Sequence, residues 1–105
     1  LETIYRTAPI GLDLIDSEFR YIRINDQLAA SNGLPIEAHI GRPIWEIVPD
    51  IADQVIPIFQ QVFATGEPVL NIEVVGETKS QPGVRRTWIN HFNPIKDTSG
   101  KTVAV

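Results

Sequence analysis

One long amphipathic segment, residues 50–65, constrains the fold of this 105-residue chain more than any other feature. Its apolar side chains recur at spacings of three and four residues, which places them on one face of a helix. They are Ile51, Val55, Ile58, Phe59, Val62 and Phe63. Gly66 follows directly and favours the end of the helix there. A helix with one apolar face must pack against a second layer of structure.

Strand-like segments on both sides of this helix predict that the second layer is an antiparallel sheet. Five runs alternate apolar and polar side chains or are rich in β-branched and aromatic residues. They are residues 10–14, 19–24, 69–75, 87–96 and 101–105. The turns Asp16-Ser17-Glu18 and Asp97-Thr98-Ser99-Gly100 join the first two and the last two runs as hairpins. The helices are expected to cover one face of this sheet.

Short helices are predicted on either side of these strands. Asn25 stands directly before residues 26–31, where its side-chain oxygen can accept from exposed amides of a helix that Gly33 ends. Two more helical turns are expected within residues 35–39 and 44–48. A lead-in helix with Leu1, Ile4 and Tyr5 on one face is expected before Pro9.

Composition excludes several classes of function. The chain has no cysteine, so disulfides, thiolate metal sites and cysteinyl cofactor adducts are ruled out. Its formal net charge of -4 and the absence of a clustered basic face predict no nucleic-acid partner. No apolar run approaches the roughly 18 to 20 residues that cross a bilayer, so no direct membrane contact is expected.

The sequence shows no arrangement of side chains that is typical of a catalytic site. Each serine and each aspartate considered lies in a turn or helix-capping context, and no Gly-x-Ser-x-Gly elbow is present. These residues are Ser17, Ser31, Ser80, Ser99, Asp16, Asp26, Asp50 and Asp97. The segment is therefore predicted not to be an enzyme.

The order of these motifs resembles the PAS domain family, in particular the sensor PAS modules of bacterial signalling proteins. The resemblance covers nearly the whole chain. Each motif that supports it is a weak signal alone, but the order and spacing of the motifs are those of the family. They are Ala8-Pro9-Ile10-Gly11, Asp16, Asn25, Gly33, Gly41, the helix at 44–48, Thr65-Gly66-Glu67-Pro68 and the turn at 93–100.

The resemblance implies an α+β fold. Its five-stranded antiparallel sheet has the order 2-1-5-4-3, and short helices and one longer helix enclose a small pocket against one face. Residues 1–105 are then a single domain cut from a longer protein, since the chain contains no methionine and stops inside its last strand. The expected function is sensing and signal relay in the cytoplasm, with an effector such as a histidine kinase or cyclic-dinucleotide enzyme in the same chain.

A ligand pocket would be lined by apolar and aromatic side chains and one amide. The candidates are Ile24, Leu28, Ile44, Trp45, Phe59, Phe63, Ile72, Trp88, Asn90 and Phe92. Such side chains are more often core, so both interpretations stay open. Asn90 needs a polar partner if it faces the pocket and none if it faces outward. Lys79, Arg85 and Arg86 either bind a small anion at the pocket mouth or form a solvated charged strand end.

The resemblance also predicts the absence of the cofactors common in this family. Ile44 aligns with the cysteine that forms a flavin adduct in light sensors, and an isoleucine cannot form that bond. Haem-binding members carry a ligating histidine on the long helix, and residues 50–65 contain none. His39 and His91 are isolated and are expected to be surface or hydrogen-bonded side chains, not metal ligands.

Association between two copies is the remaining expectation. A homodimer is predicted, with Leu1, Ile4 and Tyr5 as interface residues. An alternative function follows from it: the domain binds no ligand and serves as a homodimerisation scaffold through the lead-in helix and the outer face of the sheet.

Overall fold

The computed structural model describes residues 10–105, so the predicted lead-in helix and its residues Leu1, Ile4 and Tyr5 lie outside the described part. The described elements are short except for one helix, as expected. They are β1 (Asp13–Ile15), β2 (Tyr21–Ile24), α1 (Asp26–Asn32), a 3-10 turn (Ile36–Ala38), α2 (Ile44–Ile47), α3 (Pro49–Thr65), β3 (Val69–Gly76), β4 (Arg86–Phe92), β5 (Ile95–Lys96) and β6 (Thr102–Ala104).

The strands form three antiparallel pairs, β1 with β2, β3 with β4, and β5 with β6. The first and last pairs are joined, because Ile15 and Val105 exchange two backbone hydrogen bonds of 2.9 Å each. The first and last strands are therefore neighbours, as predicted. The predicted fourth strand is divided into β4 and β5 at Asn93-Pro94, where proline has no amide to donate to a ladder.

Helix α3 supplies the apolar layer that covers the sheet. It begins one residue earlier than predicted because Pro49 fits the first helical position, where a missing amide costs nothing. Its buried residues Val55, Phe59 and Val62 lie on one face, and the Phe59 ring meets Phe92 of β4 edge-on at 5.2 Å. No helix within residues 10–105 is long and apolar enough to span a bilayer.

Helix α1 is fixed at both ends, and this positions the candidate site. Asn25 is fully buried, and its side-chain oxygen accepts from the Leu28 amide at 3.1 Å, which confirms the predicted helix cap. Gly33 ends the helix with φ of +88°, and its amide donates to the carbonyls of Ala29 and Ala30. The end of α1 therefore has a defined position against the rest of the fold.

Candidate ligand-binding site

Strands β3 and β4 present alternate side chains to the interior. Val74 lies opposite Trp88 in the ladder, and Ile72 lies opposite Asn90. Because Val74 is buried and Phe92, two residues beyond Asn90, contacts Phe59 of α3, this is the inner face of the sheet. Trp88 and Asn90 lie on this inner face but remain partly exposed. The amide of Asn90 thus faces inward, the orientation in which it needs a partner.

Most of the predicted pocket residues lie in or against the core, and one does not. Ile24, Ile44, Phe59 and Phe92 are buried, and Leu28, Phe63 and Ile72 pack against them. Trp45 is 46% exposed, because the four-residue helix α2 buries Ile44 and Ile47 and turns the residue between them outward. Trp45 therefore belongs to the surface and does not line an interior pocket.

A group of polar side chains connects β2 with α1 inside the fold. His39 is fully buried, and its Nδ1 donates to the Pro35 carbonyl at 2.9 Å, since a carbonyl only accepts. Its Nε2 then accepts from the Asn32 amide at 3.2 Å. The Tyr21 ring meets the His39 ring edge-on at 5.1 Å. The prediction of a hydrogen-bonded His39 is confirmed, and burial lowers the pKa of its imidazole, which keeps it neutral.

Asp13 is the acid beside this group. Burial raises the pKa of its carboxyl to about 7, and the residue keeps part of its surface accessible. Burial also raises the pKa of the Tyr21 hydroxyl, and the nearby Asp13 carboxylate raises it further. Within residues 10–105, no hydrogen bond to the Asp13 carboxyl offsets this desolvation. The carboxyl is therefore partly desolvated and can accept a hydrogen bond.

Asp13 was not among the candidate site residues predicted from the sequence. Ile10, Leu12 and Leu14 alternate with Asp13, a pattern that predicts a strand but gives no indication of a desolvated carboxyl. The strand that forms is only Asp13–Ile15, and Asp13 shares the face of the buried Ile15. The one available signal was this two-residue spacing from Ile15.

Replacing Asp13 by asparagine is expected to remove a pH dependence of stability. The folded-state pKa of about 7 lies above the ordinary value of 3.8, so the folded protein binds this proton more tightly than the unfolded chain. The wild type should therefore lose about 3 kcal/mol of unfolding free energy between pH 4 and pH 7, and D13N should not lose it. Urea denaturation of both proteins across this range measures the difference. His39 titrates in both, so its contribution cancels, and parallel curves would contradict the assignment.

Arg86 occupies the other side of the end of α1. It shares the inner face of β4 with Trp88, and its guanidinium carbon lies 4.9 Å from the centre of that ring. Its Nη2 donates to the Ser31 carbonyl at 3.0 Å, to Ser80 Oγ at 2.9 Å and to Thr78 Oγ1. The interpretation of Arg86 as a solvated strand end is therefore wrong.

The neighbouring cations differ from Arg86. Arg85 is exposed and pairs with Asp50 at 3.7 Å, and Lys79 is exposed on the connection between β3 and β4. The contacts of Arg86 with Ser31 and Thr78 span 55 and 8 residues. No local sequence pattern predicts these contacts, although the two-residue spacing from Trp88 places Arg86 on the inner face of β4.

Two open grooves flank these groups. One, of about 380 Å³, lies between the start of α3 and the β3–β4 connection, and Thr78 and Lys79 form part of its wall. The other, of about 490 Å³, lies between α1 and the 3-10 turn. Neither is lined by the predicted pocket residues. In the described part of the chain, no three side chains of the metal-binding types lie together.

Solved structures of similar fold include signalling proteins. VqmA bound to DPO has a TM-score of 0.73 at 23% identity, covering 98% of this chain and 52% of that chain. The Vibrio cholerae VqmA–ligand–DNA complex has a TM-score of 0.77 at 22% identity, covering 98% and 46%. This chain thus spans about half the length of VqmA. The second of these structures contains DNA, so the comparisons do not support the prediction of no nucleic-acid partner.

For two further similar structures, the match covers most of the other protein's chain as well as most of this one. The PAS domain of an HTR-like protein from Haloarcula marismortui has a TM-score of 0.71 at 20% identity, covering 99% of this chain and 86% of that chain. A sensory box sensor histidine kinase from Vibrio cholerae has a TM-score of 0.68 at 14% identity, covering 98% and 81%. At these identities the likeness establishes the fold alone.

Comparison at the level of sequence gives the family. A search of curated proteins found no match. The family model described as the PAS fold matches residues 5–105, which is nearly the whole chain. The sheet with joined first and last strands, the short helices and the covering helix α3 agree with that assignment. The chain belongs to the PAS domain family.

Proposed function

We propose that this domain senses a small molecule that binds between α1 and the inner face of the sheet. The observation that carries the proposal is Asp13, whose partly desolvated carboxyl has no hydrogen-bond partner within residues 10–105. Desolvation without a compensating hydrogen bond is unfavourable, and a ligand that donates a hydrogen bond to this carboxyl would offset it. A ligand with a hydroxyl or N–H group meets this requirement.

The surroundings of Asp13 support the same proposal. Small-molecule sites combine apolar walls with a few polar groups that fix orientation. We assign the apolar walls of the proposed site to Leu28 and Ile72, which are partly buried and pack against the core. Asn90 adds an inward amide that, like Asp13, has no side-chain partner in the described part of the chain. VqmA, which shares this fold, has been solved bound to a ligand, DPO.

The connection between β1 and the last strand offers a route for the signal. Asp13 lies two residues before Ile15, which exchanges two hydrogen bonds with Val105. A ligand that contacts Asp13 differently in two states of the sheet would shift their populations, and only such a difference in affinity can do so. We propose that the domain has no catalytic role and lies in the cytoplasm. Its effector in the same chain is of a class such as the sensor kinase or DNA-binding receptor that share this fold.

Native mass spectrometry of the domain purified from its source tests the proposal. We expect a saturating adduct of a few hundred daltons at most on the wild type, because a small internal space limits the size of the ligand. Asp13→Ala should carry at least tenfold less of it, because alanine removes the acceptor, and loss of one hydrogen bond to a charged group costs about 1.5 to 3 kcal/mol. Asp53→Ala, on the exposed side of α3, is the matched control and should retain the adduct. An unliganded wild type would contradict the proposal.

A second candidate function, homodimerisation without a ligand, is favoured by the outer face of the sheet. Ile89 is 59% exposed and Val103 44% exposed, and both alternate with residues of the inner face. The same mass spectra distinguish this candidate. It requires a dimer without adduct that Ile89→Lys converts to a monomer, whereas ligand sensing requires the adduct in either oligomeric state.

A further inference from the structure

The geometry points to Arg86 as the recognition point for a carboxylate group on the bound molecule. This inference rests on the proposed sensing function and names the chemistry of its ligand. It assigns one end of the site to a small organic acid, at the inner face of β4 beneath the end of α1.

The guanidinium of Arg86 is held in place by neutral acceptors alone. Nη2 contacts the Ser31 carbonyl, Ser80 Oγ and Thr78 Oγ1. Nη1 has only a contact of 3.5 Å with Ser31 Oγ, which is at the outer limit of a hydrogen bond. Nε is buried and has no partner in the described part of the chain. Nη2 thus holds the side chain in place, and Nη1 is the donor left for a further acceptor, since Nε has no accessible surface.

The acids nearest to this cluster are occupied by other groups. Asp50 Oδ2 accepts from the Glu77 amide at 2.9 Å and pairs with Arg85. Glu77 Oε1 accepts from the Gly83 amide at 2.6 Å. Among residues 10–105, no carboxylate forms an ion pair with Arg86. A partly buried cation without a counter-ion is unfavourable, so the site is complementary to an anion that the chain itself does not supply.

Trp88 limits where an anion can bind to Arg86. The Trp88 ring covers one face of the guanidinium, which leaves the donors at its edge for recognition. A carboxylate oxygen can accept a charge-assisted hydrogen bond from Nη1, the donor with only a 3.5 Å contact. Lys79, next to Ser80 on the adjoining connection, adds a second positive charge near the site.

A purely structural role for Arg86 is the competing explanation. The same hydrogen bonds fasten the β3–β4 connection to the end of α1, and that role alone would satisfy Nη2. It does not account for the missing counter-ion, because fastening through neutral acceptors leaves a partly buried positive charge uncompensated among residues 10–105. The two roles differ in whether an added anion binds.

Tryptophan fluorescence separates them, because Trp88 contacts the guanidinium. The chain has two tryptophans, so the exposed Trp45 is replaced by phenylalanine and Trp88 becomes the only reporter. The Trp45→Phe domain is titrated with sodium acetate at constant ionic strength, with acetamide as the neutral isostere and inorganic phosphate as the alternative anion. We expect a saturable change in Trp88 emission with acetate and none with acetamide.

Variants of the two adjacent arginines complete the test. R86Q should weaken the acetate response at least tenfold, and R85Q, which alters an exposed arginine, should change it less than twofold. If R86Q does not fold, R86K keeps the charge without the fork of donors and should still weaken the response severalfold. Equal responses in R86Q and R85Q, no saturation with acetate, or a response to phosphate alone would overturn the inference. A ligand found by mass spectrometry that acetate does not displace would do so while leaving the sensing function intact.

Discussion

Replacing Gly33 by alanine is expected to lower the free energy of unfolding by about 3 kcal/mol. Gly33 has φ of +88°, a conformation that costs a residue with Cβ roughly 1 to 2 kcal/mol. An added Cβ would also lie 2.4 Å from the Ser80 backbone nitrogen and 2.7 Å from the Lys79 carbonyl carbon. Because backbone atoms cannot rotate away as a flexible side chain can, the β3–β4 connection must move, which adds a cost of similar size.

Gly100 provides a matched control for this prediction. It has the same φ of +88°, but no atom lies within 4 Å of the position that its Cβ would take. G100A should therefore lose only about 1 to 2 kcal/mol. Urea denaturation of both variants isolates the contact between α1 and the connection as the difference between them. Equal losses would show that the end of α1 does not press against residues 79 and 80.

The same variant has a functional consequence. Moving the β3–β4 connection displaces Thr78 and Ser80, two of the acceptors that hold Arg86. G33A should therefore weaken the acetate response of Trp88, whereas G100A should leave it unchanged. This outcome would link the packing of α1 to the anion site.

Local chemistry explains which parts of the fold the sequence predicted. The helix cap at Asn25, the helix stop at Gly33 and the amphipathic α3 each depend on residues within a few positions of one another. The adjacency of the first and last strands was also predicted, from the resemblance to the family, and Ile15 and Val105 show it. The cap, the stop and the amphipathic helix need no knowledge of tertiary contacts, whereas the adjacency of the two strands came only from the resemblance.

The candidate site was harder to predict because its contacts are distant in sequence. Arg86 meets Ser31 across 55 residues, and no local pattern specifies such a pair. Asp13 was not predicted as a site residue, because a strand of three residues gives too short an alternation to fix its orientation. Trp45 was assigned to the pocket as an aromatic residue near the expected walls, although in a helix of four residues only Ile44 and Ile47 are buried.

Replacing Asn25 by alanine is expected to cost about 3 to 4 kcal/mol, because one side chain holds three backbone groups. Its Oδ1 accepts from the Leu12 amide at 3.0 Å and from the Leu28 amide at 3.1 Å, and its Nδ2 donates to the Ile10 carbonyl at 2.7 Å. Alanine removes the helix cap, worth about 1 kcal/mol, and leaves the other two groups without a partner at roughly 1 kcal/mol or more each.

Denaturation by urea measures this loss, and two variants identify its source. Asn25→Ser keeps an acceptor that can cap the helix and loses the donor to Ile10, so it should be less destabilised than N25A. Asn93→Ala, at an exposed position, should change stability by no more than about 0.5 kcal/mol. Because Leu12 directly precedes Asp13, loss of the Asn25 contact also releases the strand that carries the buried carboxyl. N25A should therefore lose the ligand adduct at urea concentrations where the protein is still folded, and retention of the adduct would show that Asp13 is positioned independently of Asn25.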